Sequence, residues 1–394
     1  MSTNTNKKRI NRKIAALLLA FLFLVSASLT GCSQSKAPVE GAAKSNDLTP
    51  EQGYIIVTDY YGNKVKVKQN PAYIGSLFAV ATHIFAIYGD VDKIVTIPDG
   101  NTRDYLFCQI YPQISKARIV KGNNVLNIEE VVKQPRPEVL IANPEVTTDE
   151  ATVKKLTNLG IPVVTIAYDN IEQQKKTMEM LGTIADREKE AADYNKYYQS
   201  VVELVNSRIK DIPDSEKKTV YHAINELLRT DAVNTLSADI LDKCGVKNIA
   251  FQGPQGAKTT QLSIDKHYIA LEELLEANPE YILINGGDVL DYINKSTQLH
   301  NLKAYKEKHI YLMPLGVSRW GHPTSIESPL AMLWIAKTIY PDLFADIDIC
   351  TETKDFYKNY FHYELSDAQV TKILEGREYK DIKGSSNLAG GTGK

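Results

Sequence analysis

The sequence predicts an α/β fold of two three-layer lobes joined by a single long helix. Three observations carry this reading. Two separate stretches of the 394 residues share one pattern of short apolar strand, amphipathic helix and short apolar strand. That alternation argues for parallel sheets covered by helices. Between them, residues 186–212 contain neither Pro nor Gly. There Ala191, Tyr194, Tyr198, Val201, Val202, Val205 and Ile209 recur at three- and four-residue steps, as one helical stripe. At 1.5 Å per residue such a helix spans on the order of 40 Å. The stripe is too short for the sustained heptads of a coiled coil.

In the first stretch, strands are expected at 55–58, 73–75, 94–97, 139–141 and 163–166, with helices at 81–88, 128–133 and 148–159. In the second, strands are expected at 219–223, 281–284 and 309–312, and helices at 236–244, 270–277, 329–339 and 354–360. Leu159-Gly160 and Cys244-Gly245 read as helix stops, with Gly just past the last turn. The expected division is a signal segment at 1–31, a Ser/Ala/Lys/Pro-rich tether at 32–51, an N-terminal lobe at 52–185, the connecting helix at 186–213, a C-terminal lobe at 214–365, and a helix end with a Gly/Ser-rich tail at 366–394.

The first 32 residues place the chain. Lys7, Lys8, Arg9, Arg12 and Lys13 precede an uncharged run from Ile14 to Leu29, then Thr30-Gly31-Cys32. The apolar core falls short of the ~20 residues a bilayer crossing needs, so this is the layout of a secretory signal. A cysteine at the cleavage point resembles a bacterial lipoprotein signal, with Cys32 as the lipidated first residue of an extracytoplasmic protein anchored to the cell membrane.

Composition narrows the function further. The formal net charge is −2, which gives no basic field to recruit nucleic acid. Cys108, Cys244 and Cys350 stand far apart with no CxxC, so neither a disulfide framework nor a zinc cluster organises the fold. Tyr outnumbers Phe by 22 to 9, a bias that suits surfaces meeting ligands or partners. An enzyme would need its signature, but no G-x-S-x-G, HExxH, P-loop or G-x-G-x-x-G is present. Gly253-Pro-Gln-Gly256 is an isolated loop motif whose proline spoils it for phosphate. The repeats and Ser/Thr-rich stalk of an adhesive lipoprotein are also missing.

Several strings together resemble the substrate-binding proteins of ABC importers for iron–siderophores, haem, cobalamin and related metal compounds. Asn127-Ile128-Glu129-Glu130-Val131-Val132 followed by Pro137-Glu138-Val139-Leu140-Ile141 is similar to that family's helix–strand unit in the first lobe. Leu159-Gly160-Ile161-Pro162-Val163 is similar to its next strand entry. Ala270-Leu271-Glu272-Glu273-Leu274-Leu275 and Asn278-Pro279-Glu280-Tyr281-Ile282 form the matching unit in the second. Arg319-Trp320-Gly321-His322-Pro323, Glu327-Ser328-Pro329-Leu330 and Tyr340-Pro341 resemble a subgroup that includes iron-complex binders and a molybdate/tungstate binder.

The resemblance implies two α/β lobes of the helical-backbone (class III) type, no catalysis and no cofactor. It implies capture of an iron(III) chelate of siderophore or haem type, with molybdate/tungstate or cobalamin as the alternative, and delivery to a permease and its ATPase by a monomer. It also implies that Glu129 and Glu272, at the start of one helix in each lobe, dock on permease arginines, which sets orientation and on-rate. In paired α/β lobes the loops at the carboxyl ends of the strands face the cleft. That places Tyr60, His83 and Arg103 on one side and His222, Arg229, Arg319, Trp320 and His322 on the other. Arginine forks suit a negatively charged chelate or oxyanion, aromatic rings cover a flat ligand, and His83 and His322 are the candidate metal ligands. Each has a plainer reading as well. His83 and Trp320 fit a core, Arg229 a helix surface, and Tyr60-Tyr61-Gly62-Asn63 a hairpin tip. A helical strut implies little lobe closure on binding.

Overall fold

The computed structural model describes residues 51–123, 125–251 and 267–376. The expected signal segment with Cys32, most of the tether, the Gly253–Gly256 motif and the terminal tail lie outside these residues.

Strands β1 (Tyr54–Thr58) and β2 (Lys64–Lys68) form an antiparallel hairpin. The first large sheet contains β3 (Ile74–Ser76), β4 (Ile94–Pro98), β5 (Arg118–Gly122), β6 (Val125–Leu126), β7 (Val139–Ala142) and β8 (Val163–Thr165) in the order β6-β5-β4-β3-β7-β8. All its pairings are parallel except that of β6, the short antiparallel edge. Strands buried on both faces read as unbroken apolar runs, which is why Val139-Leu140-Ile141-Ala142 was legible as a strand. Leu140 and Ala142 pack into one apolar cluster with Val131 and Leu156, while Val139 and Ile141 join the main core on the opposite face. This is the three-layer arrangement.

The second sheet is parallel and built from β9 (Thr219–Ile224), β11 (Lys247–Asn248), β13 (Tyr281–Asn285) and β14 (Ile310–Leu312), in the order β11-β9-β13-β14. Beside it, β10 (Arg229–Thr230) pairs with β12 (His267–Tyr268). Tyr221, Ala223, Ile282 and Ile284 form its own cluster, and Val220, Tyr281 and Leu283 face the main core.

The connecting helix is Glu188–Ile209, with Ala191, Tyr194, Asn195, Tyr198, Val201, Val205 and Ile209 buried. It starts later than expected because Asp186 adopts a left-handed conformation (φ 60°) and ends a separate helix, Ile171–Ala185. At its start, Arg187 Nη2 donates to Asp90 Oδ1 at 3.1 Å, beside the first sheet. At its end, Ile209 packs under Gly245 beside the second, where a Cβ would lie 2.8 Å from Ile209 Cδ1. The Ile171–Ala185 helix was not expected. It lies antiparallel alongside, from Ile171 N on Asp239 Oδ2 (2.9 Å) to Ile184 O, which accepts from Asn70 N at 2.8 Å. The two helices cross closely at Gly182, where a Cβ would lie 2.8 Å from Ala191 Cβ. The joint is therefore a helix pair, and Ser328–Ile339 stacks on it, with Tyr194 Oη donating to Ile326 O at 2.7 Å. No helix among the described residues is long and apolar enough to cross a membrane.

Candidate functional site

A cavity of about 320 Å³ opens between the carboxyl ends of the two sheets. From the first lobe it is lined by Phe78, Ala79, Val80 and His83 at the start of the helix Ala79–Ile87, and by Arg103, Asp104, Tyr105 and Leu106 after β4. Its other wall is a single loop after β14, running from Leu315 through Ser318, Arg319 and His322 to Ser325.

That loop is folded around one carboxylate. Glu327 is fully buried. Its Oε1 accepts from Tyr357 Oη at 2.6 Å and Trp320 Nε1 at 3.0 Å. Its Oε2 accepts from Ser318 N at 2.6 Å and Ser318 Oγ at 2.9 Å. Gly316 is required at this point, since a Cβ there would overlap both Glu327 Oε1 and Tyr357 Oη. Burial raises the Glu327 pKa, while the bonds from Tyr357, Ser318 and Trp320 pull it back.

His322 is half-buried in the cavity wall. Its Nδ1 faces Thr324 Oγ1 at 3.0 Å and the Thr324 N–H at 3.3 Å. The amide can only donate, so Nδ1 accepts and the proton sits on Nε2. Burial first, then the positive charges of Arg319, Arg229 and His222, push its pKa down to about 3. It is a neutral imidazole in the field of two guanidiniums. Arg319 is exposed and donates to Asn225 Oδ1. Arg229 is half-buried, with no partner for its Nε. Neither forms an ion pair among the described residues, so positive charge is uncompensated on this side.

His222 lies beneath, only 1% exposed, and does not line the cavity. Its Nδ1 is 3.0 Å from Asp231 Oδ2 and its Nε2 2.9 Å from Asn285 Oδ1. Asn285 Nδ2 donates to Trp320 O at 2.9 Å, which fixes its amide with the oxygen toward the ring. Both ring nitrogens thus face acceptors, and the ring is an imidazolium. Burial alone would lower its pKa, but Asp231 and the two hydrogen bonds outweigh that and hold it above the ordinary value.

On the opposite wall His83 is 4% exposed, with Nε2 2.9 Å from Asp104 Oδ2 and 3.3 Å from Asn101 Nδ2. Its buried Nδ1 has no partner. Arg103 is mostly exposed and pairs with Asp99 at 3.0 Å, a surface contact that leaves its guanidinium accessible.

The expected residues therefore divide. His83, Arg103, Arg319 and His322 come together around one cavity, with Arg229 close enough to depress His322. Three are placed elsewhere. Trp320 is fully buried, its indole committed to Glu327, so it is a core residue. His222 is enclosed by Asp231 and Asn285. Tyr60 sits on the tip of the β1–β2 hairpin, where Asp59 Oδ1 accepts from the Tyr61 and Asn63 amides. The Tyr60 hydroxyl reaches Asp169 at 3.5 Å. Asp169, Asp239 and Asp242 line a second opening of about 610 Å³, with Lys243 beside the last two at 3.9 and 3.8 Å. Its acidity distinguishes it from the Arg–His cavity. Among the described residues no group of three or more His, Cys, Asp and Glu is placed to hold a metal ion. Sequence reasoning missed Glu327. The available signal was a charged residue set between Ile326 and the apolar run that begins at Pro329.

Residues 70–315 match the periplasmic binding protein family. The chain belongs to that family. It is a substrate-binding protein, and its relatives are solute-binding proteins. The molybdate-binding protein MolA of Haemophilus influenzae is 23% identical over 336 residues, covering 78% of this chain and 90% of MolA. The ABC transporter substrate-binding lipoprotein YvrC of Bacillus subtilis is 25% identical over 339 residues, covering 85% of this chain and all of YvrC. Among solved structures, a periplasmic solute-binding protein of Veillonella parvula superposes with a TM-score of 0.69 at 26% identity, covering 82% of this chain and 97% of that one. Molybdate-bound MolA superposes with a TM-score of 0.68 at 22% identity, covering 79% and 99%.

Proposed function

We propose that this periplasmic binding protein serves an ABC importer, is anchored to the membrane through Cys32, and carries a compact anionic cargo, an iron(III) chelate with anionic oxygen donors. The observation that carries the reading is the pair Arg229 and Arg319. Neither guanidinium forms an ion pair among the described residues, and both depress the pKa of a histidine held neutral with its Nε2–H available. Guanidinium forks and an uncharged N–H donor are what an anionic oxygen ligand needs. Phe78, Val80, Tyr105, Leu106 and Val317 line the remainder of the cavity, more apolar wall than a four-oxygen anion would use. The molybdate bound by its relative MolA favours molybdate as the second reading. Glu129 and Glu272 support docking on a permease. Both are exposed in the first turn of a helix, one in each lobe, and neither forms an ion pair among the described residues. Calorimetric titration with ferric citrate, a ferric catecholate, haemin, cobalamin and sodium molybdate tests the reading. It expects binding of a ferric chelate that weakens at least about tenfold in Arg319→Ala, the loss of roughly one charge-assisted hydrogen bond. Binding of molybdate alone would select the second reading, and binding of none of the five would overturn both.

A further inference from the structure

The helix Ile349–Tyr360 and the turn after it touch both walls of the cavity from behind. On one side Tyr357 Oη donates to Glu327 Oε1 at 2.6 Å and accepts from Val317 N at 2.8 Å. Val317 and Ser318 line the cavity. On the other side His362 Nε2 lies 3.2 Å from the carbonyl of Ile87, the last residue of the helix Ala79–Ile87. That helix supplies Ala79, Val80 and His83 to the opposite wall. Phe361 O accepts from Tyr111 Oη, a second contact with the first lobe.

The turn between these contacts is tight. Phe361 N and Tyr363 N both donate to Tyr357 O, at 3.0 and 3.1 Å, and His362 takes a left-handed conformation (φ 53°). The Phe361 ring is buried against the Tyr357 ring, with centroids 5.1 Å apart. The two anchor points therefore cannot move independently. Glu327, for its part, is a buried carboxylate that forms no ion pair among the described residues and accepts from four converging donors. Displacing Ser318, Trp320 or Tyr357 would leave a buried donor or the carboxylate itself unsatisfied. The loop thus has one satisfied arrangement.

We propose that Glu327 and Tyr357 are positioning residues, and that the Tyr357–His362 turn fixes the spacing between the two walls of the cavity. The proposal rests on the functional reading above only in treating the cavity as the ligand site. Its test uses no ligand, so the two can fail separately.

The test is hydrogen–deuterium exchange on the full chain, read at the amides of Val317 and Ser318 and along residues 79–88. The helix Leu236–Lys243 serves as the internal control. Tyr357→Phe and Glu327→Gln each remove an acceptor or donor of the network. Exchange at Val317 and Ser318 is expected to rise about tenfold, the loss of roughly one hydrogen bond, with the control unchanged. His362→Asn keeps a residue tolerant of the left-handed backbone but shortens the side chain that meets Ile87. In the relay it raises exchange at residues 84–88 and, several-fold, at Val317 and Ser318, which it does not touch. Were the turn only local packing, His362→Asn would quicken exchange near Ile87 and Phe361 alone. Wild-type rates at Val317 and Ser318 in that variant would overturn the proposal, even if Tyr357→Phe failed to fold.

Discussion

His222 and Asp231 form a buried ion pair 3.0 Å long directly beneath the loop that carries Arg319 and His322. The loop's backbone rests on it, because the Asn285 amide that accepts from His222 also donates to Trp320 O. Asp231 accepts from Ser237 Oγ and from Asn248 Nδ2 as well. Removing one partner of such a pair leaves an uncompensated buried charge, so Asp231→Asn is expected to cost about 3–5 kcal/mol in chemical denaturation. The pH dependence has a definite sign. A histidine whose pKa is raised on folding contributes stability fully below its unfolded value near 6.5, and that contribution is lost as pH rises through the folded value. His222→Asn should flatten this alkaline decline, and an unchanged profile above pH 6.5 would contradict the imidazolium assignment.

His322 works in the opposite direction. Its folded pKa of about 3 lies far below the unfolded value, so the unfolded chain takes up a proton that the native chain refuses. Stability from this residue is complete above about pH 6.5 and declines as the solution is acidified toward pH 3. His322→Asn is expected to melt with a shallower acid slope between pH 6.5 and 4, measured by circular dichroism. Because the two histidines act on opposite sides of pH 6.5, the variants report separately. Parallel acid slopes for wild type and His322→Asn would show that the ring is not held neutral.

Gly316 offers a steric test of the loop. Its backbone passes so close to Glu327 and Tyr357 that an added methyl overlaps both. Overpacking of a tight interior typically costs about 1–3 kcal/mol, and here it also disturbs the four bonds to Glu327. Gly316→Ala should therefore lose at least about 2 kcal/mol of stability and redshift the Trp320 emission as the indole leaves Glu327. The readout is cleanest with Trp334, the second tryptophan, replaced by Phe. An unaltered emission maximum would mean that the loop yields without moving Trp320.

How much of this was visible in the chain follows from where each signal resides. Apolar runs buried on both faces, such as Val139–Ala142 and Tyr281–Asn285, carry their strand signal locally. The stripe from Ala191 to Ile209 likewise carries its helix signal. The helix Ile171–Ala185 escaped because its buried stripe begins with polar residues, Gln174 and Thr177 following Ile171, so the apolar signal starts only at Met178. Its stop is Asp186 in a left-handed turn rather than a Gly or Pro. At the site, loop position predicted His83, Arg103, Arg319 and His322, because strand ends face the cleft. It misplaced Tyr60, Trp320 and His222. Whether a ring at a strand end or in a loop points into the cavity or into the core depends on its partners, here Glu327 for Trp320 and Asp231 with Asn285 for His222. No local pattern encodes those partners. Glu327 illustrates the same limit from the other side, since its role exists only once Tyr357, thirty residues away, has folded against it.

The docking role proposed for Glu129 and Glu272 can be tested apart from ligand binding. Each stands exposed in the first turn of a helix and has no ion-pair partner among the described residues, whereas their neighbours are engaged, Glu130 by Lys133 and Glu273 by the Ala270 amide. The helix dipole favours an acid in this place, so presence alone says little. The free carboxylate on each lobe is the distinguishing feature. Two such charges, fixed apart on one stiff body, can meet two arginines in a single orientation, and their contribution falls mainly on association rate and register. Glu129→Arg and Glu272→Arg should therefore each reduce ligand uptake by cells at least about tenfold, while calorimetric affinity for the cargo stays within about twofold of wild type. The paired reversal should be no worse than the more damaging single one if either repulsion already blocks docking. Uptake that survives both substitutions would remove these residues from the permease interface and leave the ligand cavity untouched.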